Sequence, residues 1–281
     1  MTAIGVIGTG RVARALAFAL GPGVALWGRS AEALAAGCAA TGARTASGPE
    51  TLLAESDIVL IAVADDALPA IVARLAAQPC PHRPLVAHVS GASGIGVLAR
   101  LRAAGAHTAA IHPAMTFTGD APGEAGRMAG ARFAITGADV VAEAAAAALV
   151  GRLGGIAVPV AEAHRALYHA ALSHAANHLV TLLAGASTAL AGAGVADPAA
   201  LLAPLVRAAL ENSLTHGFDA LSGPVLRGDR ATVAAHVAAL AQACPPVLPA
   251  YRAMALATVD ELARTGRGDH HAALREFLRG D

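Results

Sequence analysis

The chain has 281 residues, 56% of them hydrophobic and 14% charged, and its formal net charge is zero. That balance supplies a large core, excludes intrinsic disorder and suits two domains. All 20 basic residues are arginine, which excludes a Schiff-base lysine, a Walker-type phosphate lysine and a lysine general acid.

The first element is Ile4-Gly5-Val6-Ile7, an apolar run that ends in Gly8-Thr9-Gly10-Arg11-Val12-Ala13 and passes at once into an Ala/Leu-rich helix pattern. Strand, glycine turn and helix in that order predict a dinucleotide-binding corner. Gly8 permits the turn, Gly10 admits a pyrophosphate, and Ala13 lets the helix pack on the strand. The helix N-terminus then faces the anion. Arg11 either contacts the pyrophosphate or points to solvent.

Strand and helix signals alternate from there. A helix is expected over Arg11–Leu20, a strand at Val24–Trp27, a helix over Ala31–Ala40 and a weakly marked strand near Arg44–Ala46. The β-branched run Asp57–Val63 reads as a buried parallel strand, followed by helix Ala67–Ala77, strand Pro84–Val89, helix Ile95–Ala104 and strand Thr108–Ile111. Phe117–Ala129, rich in Gly, Pro and Asp, reads as a loop. Strand Arg132–Thr136, helix Val140–Leu153 and strand Ile156–Val160 complete this part. Beyond residue 160 the strand signals stop, and helices are expected over Glu162–Leu190, Pro198–His216, Arg230–Ala243, Pro246–Arg264 and Ala272–Arg279. The expected fold is α/β: a parallel-sheet Rossmann domain over 1–160, then an all-α domain over 161–281.

An NAD-binding chain places an acid about 20 residues past the glycine turn, for the ribose 2′-OH. Here the second strand ends Trp27-Gly28-Arg29-Ser30. A guanidinium and a hydroxyl suit a 2′-phosphate, so NADP is expected and NAD is the lesser alternative. Arg29 also reads as a solvated side chain and Ser30 as a helix N-cap. At the end of the fourth strand, Val63 and Ala64 form a candidate cofactor wall. Asp65 and Asp66 read as the cap and first turn of the next helix.

Three segments offer polar groups for substrate chemistry. His88-Val89-Ser90-Gly91-Ala92-Ser93 and His112-Pro113 close the fifth and sixth strands, where ligands gather in open α/β sheets. His169, Ser173 and Asn177 follow at i, i+4 and i+8 on the long helix after 160, beside a neighbouring stripe of His174 and His178. The catalytic candidates are Ser90, His112, His169 and Asn177, with an imidazole handling the proton. Arg207 and Arg227 are candidates to pair with a substrate carboxylate. No carboxylate or cysteine completes a metal set, so no metal is expected.

Together, Gly8–Ala13, His88–Ala92, Ile111–Pro113, Leu167–Ala171, Arg207–Asn212 and Ser222–Asp229 span nearly the whole chain. In them the chain resembles the bacterial family that joins a Rossmann-like module to a helical domain of unknown function. That family lies in the 6-phosphogluconate dehydrogenase-like superfamily, with pyrroline-5-carboxylate reductases, ketopantoate reductases, 3-hydroxyacid dehydrogenases and prephenate dehydrogenases as distant relatives. The resemblance implies a nicotinamide-dependent oxidoreductase, dimeric through its helical domain, with its active site in the interdomain cleft. The 3-hydroxyacid dehydrogenases carry Lys-x-x-x-Asn on the first long helix of their second domain. Asn177 matches the Asn, but Ser173 stands where the lysine would be, which argues against β-hydroxyacid oxidation.

The expected activity is NADP-dependent reduction of a small C=N or C=O compound, an imine or an oxo acid. Imine reduction demands least of a chain without lysine. The alternative is a non-catalytic NADP-binding redox sensor or scaffold. No Arg cluster invites nucleic acid or an anionic membrane. Cys38, Cys80 and Cys244 read as small buried residues in a reducing compartment. With no leader pattern and no apolar run of about 20 residues, a cytoplasmic protein is expected.

Overall fold

The computed structural model describes residues 2–80, 82–268 and 271–280. β1 (Ile4–Ile7) turns through the glycines into α1 (Arg11–Leu20), and β2 (Ala25–Trp27), α2 (Ala31–Thr41) and the short β3 (Arg44–Thr45) follow. Next come α3 (Pro49–Glu55), β4 (Ile58–Ile61), α4 (Leu68–Leu75) and β5 (Leu85–His88). A 3₁₀ turn at Ile95–Leu98 runs into α5 (Ala99–Ala103), then β6 (His107–Pro113), α6 (Ala121–Met128), β7 (Arg132–Gly137), α7 (Val140–Arg152) and β8 (Ile156–Pro159). A second 3₁₀ turn, Glu162–His164, opens the long α8 (Arg165–Gly192).

The eight strands make one sheet in the order β3-β2-β1-β4-β5-β6-β7-β8. Every pairing is parallel except β6 with β7, where His112 faces Ala134 and Ile111 faces Ile135 in antiparallel register. The expectation of a parallel sheet is corrected at that one junction. The alternation of side chains along each strand feeds two cores. Ile4, Val6, Leu26, Leu60, Ala87, Ala109 and Phe133 face α1 and α7. Ile7, Ala25, Val59, Ile61 and Val86 face the opposite side, with Leu52, Leu75 and Leu101. A strand buried on both faces must be apolar at consecutive positions, which is why these runs do not alternate with polar residues.

Two helices depart from the sequence reading. α3 had no expected counterpart. The segment expected as a loop, Phe117–Ala129, holds α6, whose N-cap Asp120 accepts from the Gly123 N–H. Gly123 and Gly126 lower helix propensity, but Ala121, Glu124 and Met128 are buried and hold the helix. The Glu124 side chain is fully buried, and Oε1 accepts from the backbone N–H groups of Thr118 and Gly119.

The chain divides into two compact units, Met1–Ser173 and His174–Asp281. The second contains the rest of α8, α9 (Pro198–His216), α10 (Arg230–Ala243), α11 (Leu248–Arg264) and α12 (Ala272–Arg279). Its small core comprises Val233, Ala255, Val259, Leu274 and Leu278. α8 buries only Arg165 along its length, and α9 buries no residue. No helix among the described residues is long and apolar enough to cross a membrane. The cysteines are free; Cys80 and Cys244 are buried and Cys38 is half-buried.

Candidate active site

The glycine turn has the geometry that a dinucleotide needs. Gly8 adopts φ 131°, and a Cβ there would lie 2.1 Å from the Ala62 carbonyl oxygen, so only glycine fits. Gly10 is the N-cap of α1 with extended backbone and no capping side chain, and no acid occupies the first turn. A Cβ on Gly10 would meet nothing within 4 Å. The first N–H groups of α1 therefore face open space, where a phosphate would complete them.

A trough of 840 Å³ runs from this turn along Gly8, Thr9, Gly10, Trp27, Arg29, Ser30, Val63 and Ala64. No acid stands at the end of β2. Arg29 is exposed there, and Ser30 Oγ caps α2 by accepting from the Ala33 N–H at 3.2 Å. The Arg74 guanidinium lies 5.2 Å from the centroid of Trp27, which forms part of the wall, and Glu50 holds Arg74 by paired hydrogen bonds. These residues fit a dinucleotide with a phosphorylated ribose.

A second trough of 420 Å³ shares Gly10, Val63 and Ala64 with the first and adds Arg11, Val12, Asp65, Ser90, Gly91, Phe117 and His169. Arg11 reaches the Phe117 carbonyl at 3.4 Å. The N-cap of α4 is Ala67, with no capping side chain, so the Asp65 and Asp66 carboxylates do not cap it, contrary to expectation.

Beneath this trough lies a polar network built by the ends of β5, β6 and β7 and the first turn of α8. His88 is fully buried; Nδ1 accepts from the Ser90 N–H at 3.2 Å, so its proton sits on Nε2, which donates to the Gly94 carbonyl at 3.0 Å. Burial pushes its pKa down to about 4. Ser90 Oγ accepts from the Ser93 N–H at 3.0 Å, which leaves its own O–H proton as a donor at the trough wall. Arg165, 1% exposed, donates to Thr136 Oγ1 at 3.2 Å and to the carbonyls of Ser90 at 2.8 Å and Gly91 at 3.4 Å.

The buried histidine sets an acid limit on stability. Below pH 6.5 an unfolded chain protonates this imidazole, while the folded chain refuses the proton down to about pH 4. Its contribution is therefore complete above pH 6.5 and falls away between 6.5 and 4, by roughly 3 kcal/mol in all. Urea midpoints measured across that window should show the decline, to which His112, its pKa also held to about 4 by burial, adds its own share, so His88→Gln should remove only part of it.

His112 and His169 meet across Gly91. A Cβ on Gly91 would lie 2.3 Å from His169 Nδ1 and 2.8 Å from His112 Nε2. Their rings are edge-on, with centroids 5.8 Å apart. His112 Nδ1 is 2.9 Å from the Tyr168 hydroxyl. Burial, with His169 and Arg165 adding to it, pushes the His112 pKa to about 4, and burial raises that of the Tyr168 phenol. At neutral pH both groups are uncharged. With Tyr168 O–H donating to Nδ1, His112 carries its proton on Nε2, on the side of the buried, unpartnered Nδ1 of His169.

Of the residues expected from sequence, Gly8, Thr9, Gly10, Arg29, Ser30, Val63 and Ala64 line the first trough, and Arg11, Val12, Ser90 and His169 line the second. His112 stands behind His169 and lines neither trough. Asn177 is exposed on α8 in the second unit and lines neither. Arg165, Tyr168 and His88 were not assigned roles by sequence. Arg165, Tyr168 and His169 lie at i, i+3 and i+4, one stripe of a helix turn, and that spacing is the signal that would have found the first two.

Two family models match the chain: Rossmann-like domain over residues 1–113 and Domain of unknown function (DUF2520) over residues 131–258. The chain therefore belongs to the class of proteins that follow a Rossmann-like module with a helical one. More narrowly, it carries a Rossmann-like domain followed by a DUF2520 domain. No curated protein matches the sequence. Among solved structures, a Bacteroides fragilis protein assigned as an NADP oxidoreductase aligns at 19% identity and TM-score 0.75, over 92% of this chain and 97% of its own. A reductive aminase from Aspergillus terreus, in complex with NADPH and ethyl-5-oxohexanoate, aligns at 20% identity and TM-score 0.70, over 99% of each chain. An imine reductase from Myxococcus stipitatus, in complex with NADP+, aligns at 18% identity and TM-score 0.68, over 98% of this chain and 99% of its own. At these identities the likeness establishes the fold.

Proposed function

We propose that this protein is an NADP-dependent oxidoreductase that reduces a small C=N or C=O compound, an imine or an oxo acid. The carrying observation is that the glycine-turn trough, open at the α1 N-terminus and free of an acid at the end of β2, shares a wall with the trough holding His169 and Ser90. The presence of NADPH and NADP+ in the Aspergillus and Myxococcus structures of the same fold supports this cofactor. In this reading residues 1–160 hold the cofactor and 161–281 serve substrate binding and dimerisation. Leu167, Val180, Leu205 and Leu214, the last 80% exposed, support a homodimer formed through the helical part. The free cysteines suit a reducing, cytoplasmic setting.

The bound nicotinamide would supply hydride to the carbon of the C=N or C=O bond. His169 is the residue at the trough wall that hands a proton to the nitrogen or oxygen. Its buried Nδ1 lies beside His112 Nε2, so the proton lost to substrate is replaced from His112, that of His112 from the Tyr168 hydroxyl, and that of the half-buried Tyr168 from water. Neutral donors suit this task, because a relay that starts uncharged moves a proton without a buried imidazolium at rest. The Ser90 O–H orients the substrate heteroatom. Asn177 and the surface arginines Arg207 and Arg227 are proposed as substrate-binding groups of the helical part.

The reading is tested by NADPH oxidation against a panel of cyclic imines and 2-oxo acids. A folded, NADPH-binding protein that turns over none of them would instead support the redox-sensor alternative. Cofactor choice gives a second check. Arg29→Ala should weaken NADPH binding by roughly 10- to 100-fold, the worth of charge-assisted hydrogen bonds to a phosphate, and leave NADH nearly unchanged. Equal losses for both cofactors in a titration would remove Arg29 from the 2′-phosphate site.

A further inference from the structure

We propose that Arg165 is the positioning residue of this site: its guanidinium fixes the Ser90–Gly91 segment against which His112 and His169 pack, and places a permanent positive charge in the buried network that holds His112. The kinetic part of this proposal rests on the reductase reading; the structural part does not.

Arg165 is the one arginine among the described residues with a side chain so fully enclosed, at 1% exposure. Enclosing a guanidinium is costly, and the usual compensation is a carboxylate. No carboxylate pairs with Arg165 among the described residues. Glu162, a turn away, spends both of its oxygens on the N–H groups of Ile95 and Gly96, at 2.9 and 3.2 Å. Arg165 is met by neutral acceptors, Thr136 Oγ1 and the Ser90 and Gly91 carbonyls, while its Nε has no partner. Thr136 is itself fixed by donating to the Val160 carbonyl at 2.6 Å. A well-packed apolar side chain would hold these elements together at less cost. What a methionine or leucine would not supply is the fork that joins β7 to the end of β5, and the positive charge.

Both features bear on the proton-handling groups. The fork holds the carbonyl of Gly91, whose missing side chain makes room for the two imidazoles. The guanidinium lies 5.9 Å from the Tyr168 ring centroid, on the first turn of the helix that carries Tyr168 and His169. The groups facing His112 are Tyr168 at hydrogen-bond distance, His169 edge-on, Arg165 and His88, which resist its protonation, and Asp65, which favours it. Arg165 is the permanent cation in that set, and it opposes a positive charge on His112 at every pH where the protein folds.

The test follows the histidine ring protons by NMR across pH in the whole chain and measures turnover at saturating NADPH. In Arg165→Met the His112 titration should move up by about one pH unit, and saturating turnover should fall roughly tenfold or more, the scale of a small misplacement of catalytic groups. The Kd for NADPH should change less than about threefold, because Arg165 lines neither trough. Arg165→Lys, which keeps the charge, should return the titration to its original position. The proposal is overturned if Arg165→Met leaves both titration and turnover unchanged, or if Arg165→Lys titrates like Arg165→Met. Should Arg165→Met fail to fold, Thr136→Val removes one acceptor of the fork; no change in the His112 titration or in turnover would then overturn it. A shifted titration in a protein that turns over no imine or oxo acid would sink the reductase reading and leave the positioning role standing.

Discussion

Replacing Gly10 by aspartate should abolish NADPH binding while leaving the fold at least as stable. Gly10 has extended backbone, φ −71° and ψ −178°, and a Cβ there meets nothing within 4 Å, so the new side chain enters without a clash. The position is the N-cap of α1, where no side chain now accepts from the helix N–H groups. Aspartate is among the best N-caps, worth a few tenths of a kcal/mol over the glycine it replaces, and its charge suits the helix dipole. It does so by taking the N–H groups and the positive end that the pyrophosphate would use, and by setting an anion against an anion. Losing one charge-assisted contact and adding that repulsion should weaken binding by roughly 100-fold or more, near 3 kcal/mol. Isothermal titration with NADPH, paired with a thermal melt, separates the two effects. Binding within threefold of the parent would remove the phosphates from this helix terminus; a large fall in Tm would mean that the open space is not as described.

Gly91→Ala should silence turnover with little effect on the fold elsewhere. The added methyl would lie 2.3 Å from His169 Nδ1 and 2.8 Å from His112 Nε2, closer than carbon and nitrogen tolerate. The backbone of Gly91 is not in the left-handed region, so the whole effect is steric. Both imidazoles must swing away, which breaks the approach of His112 to His169 and strains its bond to Tyr168. Overpacking of this kind costs about 1–3 kcal/mol of stability. Displacing a proton donor by an ångström costs roughly 100-fold in kcat, so the catalytic effect should exceed the structural one. The double variant Gly91→Ala/His169→Ala sharpens the reading: the lost stability should return in part, as the tighter of the two clashes is relieved and His112 gains room to move, while turnover stays down. A Gly91→Ala protein with parental kcat would show that the two histidines take no part in the proton step.

How much of this was legible beforehand differs between the cofactor side and the proton side. Gly8, Gly10, Arg29 and Ser30 were found because the corner is local: strand, turn and helix are contiguous, and each residue's duty follows from its place in that run. Ser30 shows both expected roles, as the cap of α2 and as a wall of the trough. The helix α6 was hidden because Gly123, Gly126 and Pro122 outweigh local propensity, whereas burial of Met128 and the side chain of Glu124 decides the matter. Asp65 and Asp66 looked like caps by spacing alone, yet α4 starts at Leu68 behind an uncapped Ala67.

The sequence by itself determined the α/β class, the glycine corner and the absence of an NAD-type acid, because periodicity and nearest-neighbour chemistry settle all three. It also placed Ser90, His112 and His169 at strand ends and on a helix where ligands gather. Only the tertiary structure decided that Gly91 is the point on which two histidines close, that Tyr168 bonds to His112, and that Arg165 lies buried under Ser90. Those contacts join residues 21 to 78 positions apart, and which ones meet depends on how β5, β6, β7 and the first turn of α8 converge. Burial then sets the charge of His88 and His112, a property that no spacing in the chain encodes.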